Sequence, residues 1–169
     1  MTERNRIRDD PKVNVKVVLS GLWVSMLFVF AYVDIFGFWR TDVINGALHG
    51  KVPGVGFDIN QAFLTLTTLY ILIPCLMISF SLIAPTKINR PTNLVVSTLY
   101  AVSVVASAVG ETWAYYILGS AVEVVLLLAI AGVAWFWPTI SHQLARTEMG
   151  EATRVTPDDL PRSRQPSNP

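Results

Sequence analysis

The stretch GSAVEVVLLLAIAGVAWFWP, residues 119–138, decides how the chain is read. Nearly all of it is apolar, it ends in two tryptophans and a proline, and it holds a single acid, Glu123. With WAYYIL before it, the run extends from Trp113 to Trp137. That exceeds the ~20 apolar residues that cross a bilayer as a helix. Three further stretches approach the same length: Val17–Trp39, Ala62–Ala84 and the less hydrophobic Thr92–Gly110. The chain of 169 residues is 52% hydrophobic and 15% charged, too apolar for an ordinary soluble domain of this size. The expected fold is therefore all-α: a polytopic membrane protein built as a bundle of four transmembrane helices.

Basic residues assign the sides. Arg4, Arg6, Arg8, Lys12 and Lys16 precede the first span. Lys87 and Arg90 lie in PTKINRP, between the second and third. Arg146, Arg154, Arg162 and Arg164 follow the fourth. The opposite side has only Arg40 and Lys51. Both termini are expected in the cytoplasm. The first span is too long for the apolar region of a signal peptide and is read as retained. Trp39, Trp113, Tyr115 and Tyr116 suit the outer interface, and Trp135 and Trp137 the inner one.

Three regions follow: a basic N-terminal segment (1–15), a membrane domain (16–138) and a polar tail (139–169) with the composition of disorder. The outer loop has room for one short interfacial helix around TDVINGALHG, residues 41–50.

Lipid gives helices no hydrophobic reason to associate, so small and polar stripes should mark the contacts. In the second span these are Gln61, Thr65, Thr68, Leu72, Cys75 and Ser79. In the third they are Asn93, Ser97, Tyr100, Ser103, Ser107 and Gly110. In the fourth they are Tyr116, Gly119, Ser120, Glu123, Ala131 and Ala134. The first gives a weaker stripe, Ser20, Trp23, Leu27, Ala31 and Asp34. Pro74 should kink the second span.

Glu123 lies near mid-span with no Lys or Arg in any membrane core. An isolated carboxylate there is strongly disfavoured. It is expected to carry its proton and to donate it to Ser103, Tyr100 or Thr68. Asp34 lies nearer the outer edge, within reach of Trp113, Arg40 or Lys51, and Thr65, Thr68 and Ser107 have depths that can link the two acids. Glu111 is expected to be solvated. His49 with Asp42 and Asp58 matches no metal motif. His142 reads as a tail residue at the interface. No Walker, GxSxG, HExxH or dinucleotide glycine motif occurs, no nucleophile–base pair points to an enzyme, and no cofactor is expected. The single cysteine, Cys75, excludes an intramolecular disulfide. Near-zero net charge does not suggest nucleic acid as a partner. The expected partners are the bilayer and either a second copy or a larger membrane complex.

At FAYVDIFGF (30–38) and AVEVVLLLAIAGVAWFWP (121–138) the chain resembles a family of small bacterial four-helix membrane proteins of unknown function, over residues 14–138. The resemblance implies four helices and a bacterial plasma membrane and brings no activity. It places Asp34 and Glu123 where the likeness is strongest. The favoured role is a structural or accessory membrane subunit. The alternative is a proton-coupled carrier of a small molecule or cation acting as an oligomer through Glu123, and a lipid or quinone enzyme stands third.

Overall fold

A computed structural model of the chain describes residues 13–137. They form five helices: α1 (Val15–Gly37), α2 (Thr41–Leu48), α3 (Gln61–Ile83), α4 (Thr86–Ala108) and α5 (Ala114–Trp135). All but α2 are long and apolar enough to cross a membrane. The short α2 lies within the stretch expected to hold an interfacial helix. The end carrying α2 is called the loop end, and the end with the α3–α4 connection the turn end. The basic head before residue 13 and the tail from Pro138, with TISHQLARTEM and His142, lie outside the described residues.

Local chemistry sets the helix limits. Asn14 and Asn60 cap α1 and α3 by accepting from the amides of Lys16 (2.9 Å) and Phe63 (3.0 Å). Between α4 and α5 the chain reverses at Gly110, whose φ of 86° favours a residue without a Cβ. Glu111 Oε1 then accepts from the amides of Thr112 (2.8 Å) and Trp113 (3.1 Å).

At the turn end the structure corrects the sequence reading. PTKINRP was expected as a loop with a helix from Thr92, but α4 begins at Thr86. The reason is Asn89, fully buried, whose amide donates to the Ser81 carbonyl (2.7 Å) near the end of α3. One side chain closes α3 and fixes the first turns of α4 against it, leaving a tight connection through Ala84 and Pro85. Basic side chains cover other free carbonyls there. Lys16 donates to Ala84 O (2.8 Å), and Arg90 to Trp135 O (2.8 Å) at the end of α5.

The helices pack as an open arc. α5 lies between α4 and α1, and α1 lies between α5 and α3. Although consecutive, α3 and α4 touch only sparingly. α1 and α5 approach closely: a Cβ on Gly119 would fall 2.2 Å from Val33 Cγ2, so only glycine lets these helices meet there. The core lies toward the turn end, where Leu19, Trp23, Leu127, Ile130 and Ala134 are fully buried.

The polar face expected on α5 is the packed one, with Gly119, Ser120, Glu123 and Ala134 buried and Ile117, Leu118, Val125 and Leu128 exposed. The stripe proposed for α3 is wrong. Gln61, Thr65, Thr68, Leu72, Cys75 and Ser79 face outward, and Pro74, Met77 and Ser81 are buried instead. The two threonines are content there because each donates to its own helix: Thr65 to Gln61 O and Thr68 to Leu64 O, both at 2.8 Å. A hydroxyl satisfied within its own helix needs no neighbour.

Candidate functional site

The sparse contact between α3 and α4 leaves a cavity of about 860 Å³ in the loop-end half of the bundle. Each spanning helix supplies a wall: α1 gives Phe30, Val33 and Asp34, α3 gives Phe63, Leu66, Thr67 and Tyr70, α4 gives Ser103, Val104 and Ser107, and α5 gives Tyr116, Ser120 and Glu123. The loop before α3 adds Phe57, Asp58 and Asn60 at the mouth.

Helix geometry sets the depth of the acids. Glu123 lies nine residues beyond Ala114, so it is about 14 Å below the start of α5. Asp34 lies three residues before Gly37, about 5 Å from the end of α1. The two carboxyls therefore stand at different heights on one cavity, Asp34 near the mouth and Glu123 deep.

Glu123 is 3% exposed, and its Oε1 is the one buried side-chain oxygen or nitrogen without a hydrogen-bond partner among the described residues. The hydroxyls proposed as its partners are engaged elsewhere. Ser103 pairs with the Tyr70 hydroxyl (2.6 Å) and donates to Tyr100 O (2.8 Å). Tyr100 donates to the Tyr70 carbonyl (2.5 Å). Ser107 donates to Val104 O (2.9 Å) and receives the Tyr116 hydroxyl (3.2 Å). Ser103 and Ser107 are on the cavity wall with Glu123. Tyr100 is not, and Thr65 and Thr68 point away from it.

Below the cavity lies an aromatic floor. Pro74 has no N–H, so the Tyr70 carbonyl one turn earlier lacks its helical donor. The Tyr100 hydroxyl fills that role from α4, while the two tyrosine rings stack with centroids 4.7 Å apart. A tyrosine from the neighbouring helix thus satisfies the carbonyl that the proline frees.

Beneath the floor is a second polar cluster, and it is fully paired. Trp23 Nε1 donates to Asn93 Oδ1 (2.7 Å), and Ser81 donates to the same oxygen (3.2 Å). Asn93 Nδ2 donates to Asn89 Oδ1 (2.6 Å) and to the Asn89 carbonyl (3.0 Å). This network ties α1, α3 and α4 together in the place where burial is most complete. Its satisfied state sets off Glu123, a cavity-lining residue whose buried Oε1 has no partner among the described residues.

Cations at the loop end are committed away from Asp34. Arg40 binds Asp42 (2.6 Å) and Glu111 (2.9 Å) and lies 4.9 Å over the Trp113 ring. Lys51 pairs with Asp58 (2.5 Å). Glu111 is thus not simply solvated: Arg40 holds it and Asp42 below the usual carboxylate range, and the same bonds raise the Arg40 guanidinium. His49 Nδ1 meets the Asn45 carbonyl (2.7 Å) rather than Asp42 or Asp58. No group of three metal-ligating side chains converges among the described residues.

The sequence reading named Ser120 and Tyr116 as packing residues and missed Thr67 and Tyr70 as cavity residues. Thr67 falls between Thr65 and Thr68, and Tyr70 stands one turn before Pro74.

Fold and site together define a four-span membrane bundle with an open, acid-lined cavity in one half and a sealed polar core in the other. The chain belongs to the family of unknown function DUF6326, whose model matches residues 10–142. No curated protein and no solved structure matches it.

Proposed function

We propose that this membrane protein is a carrier that binds a small molecule in the cavity and exchanges it for a proton on Glu123. One observation carries the reading. Glu123 lines an open cavity, and its buried Oε1 has no hydrogen-bond partner among the described residues, although hydroxyls line the same walls. A carboxyl serving as architectural glue would be hydrogen-bonded, as Asn89 and Asn93 are. An intramembrane acid left free in a cavity is instead suited to alternate between proton and ligand.

In this reading the titratable groups facing the cavity are Glu123 and Tyr116 of α5, Asp34 of α1, Tyr70 of α3 and Asp58 of the loop. Asp58 is already paired with Lys51. The loop end opens outward, both termini lie in the cytoplasm, and the setting is a bacterial plasma membrane. Release at the turn end requires the Tyr70–Tyr100 floor to part, with α3 bending at Pro74.

Proteoliposomes enclosing a pH-sensitive dye provide the test. Within a panel of small amphipathic molecules, at least one should drive counter-movement of protons in the wild type and none in Glu123→Gln. Flux that keeps its size and pH dependence in Glu123→Gln overturns the proposal.

A further inference from the structure

The cavity's charge and wall chemistry define what it takes. Its lining holds three acids, Asp34, Asp58 and Glu123, and no lysine, arginine or histidine. Lys51 compensates Asp58, and Arg40 is spent on Asp42 and Glu111, so among the described residues the lining acids that remain without a cation partner are Asp34 and Glu123. A positive ligand gains from both, one near the mouth and one deep.

The walls exclude a bare ion as the best occupant. About 860 Å³ lies within the range of sites for drug-sized organic molecules. A hard metal cation favours several charged oxygens at close range, and no group of three His, Cys, Asp or Glu side chains converges among the described residues. The lining instead carries Phe30, Phe57, Phe63, Tyr70 and Tyr116. Aromatic faces attract a positive charge held within ~6 Å, and they bury an apolar body at the same time.

Resting on the carrier reading above, we infer that the ligand is an organic monocation with an aromatic or branched apolar body. Its charge lies between Asp34 and Glu123, and its body rests against the phenylalanine and tyrosine walls. A neutral analogue of the same shape loses the carboxylate attraction, and an anion is repelled.

The test is equilibrium dialysis on the full chain in neutral detergent at pH 8, with empty micelles as background. The probes are tetraphenylphosphonium and the smaller benzyltrimethylammonium as cations, triphenylphosphine oxide as the neutral analogue and tetraphenylborate as the anion. At least one cation should bind, at least tenfold more tightly than the neutral and anionic probes. Glu123→Gln should weaken the cation at least tenfold. Thr67→Trp, which places bulk on an exposed wall position, should weaken it as well. If triphenylphosphine oxide binds as tightly as either cation, and Thr67→Trp weakens it, the cavity binds ligands but charge does not select them. That overturns the cation assignment and leaves the carrier reading standing. If no probe binds above background, the cation assignment falls. The carrier reading is then decided by the proton flux of the wild type and Glu123→Gln in proteoliposomes.

Discussion

Tyr100 donates its hydroxyl to the main-chain carbonyl of Tyr70 at 2.5 Å, the carbonyl that Pro74 leaves without a helical donor. The carbonyl that Pro74 frees in α3 is therefore satisfied by a residue of α4. This bond, with the stacked rings, forms the floor between the acid-lined cavity and the paired core beneath it.

Removing that hydroxyl should be costly only while the proline is present. Tyr100→Phe is expected to destabilise the protein by about 1–3 kcal/mol, the range for a buried polar group left unpaired. In a Pro74→Ala background the helix supplies its own N–H, and the same change should cost clearly less. A double-mutant cycle of unfolding in detergent reads the difference. Equal costs in both backgrounds refute the coupling.

Asn93 holds the paired core, accepting from Trp23 and Ser81 and donating to Asn89. Asn93→Leu leaves Trp23 Nε1 and Asn89 Oδ1 without this partner in a buried site. The loss should be on the order of 2 kcal/mol or more, and larger than for exposed Thr68→Leu. Thermal unfolding in one detergent compares the two variants.

Gly119 permits the contact between α1 and α5. Gly119→Ala places a methyl 2.2 Å from Val33 Cγ2, which forces the helices apart. Overpacking of this kind costs about 1–3 kcal/mol. Val33→Ala removes the clashing atom and should restore much of the stability. Absence of rescue would mean that the approach is not set by this pair.

The Arg40 cluster predicts an acid-side instability at the loop end. Glu111 and Asp42 are held below their ordinary values, chiefly by the hydrogen bonds from Arg40. Depressed acids stabilise fully above their unfolded values, about 4.3 for Glu and 3.9 for Asp, and the contribution fades as pH falls through the folded values. Melting temperature followed from pH 7 to pH 3 should fall more steeply below about pH 4 in the wild type than in Glu111→Gln. Parallel curves would show that Glu111 adds nothing to this dependence.

The features legible in the sequence were those that a single helix carries by itself. Length and hydropathy located four spans, and the Gly119, Ser120, Glu123 and Ala134 face of α5 could be read because bulky apolar residues fill the opposite side. The facing of α3 could not, since Thr65 and Thr68 donate to their own carbonyls and their polarity says nothing about neighbours. The start of α4 was masked by Lys87 and Arg90, which look like loop residues until Asn89 is placed under the end of α3. The cavity is a property of the pair α3 and α4, which diverge after a tight turn, and no single-helix pattern encodes it. The sequence names both acids as candidates; that they border one opening needed the fold.

The central claim is that Glu123 borders a cavity that water and ligand reach. Infrared difference spectra between wild type and Glu123→Gln, in H₂O and in D₂O across a pH series, test it most directly. The account predicts a carboxyl band belonging to Glu123 that shifts promptly on transfer to D₂O and converts to carboxylate as the pH is raised. A Glu123 carboxyl band that neither exchanges its proton nor responds to pH would place the group in a sealed interior and contradict the account.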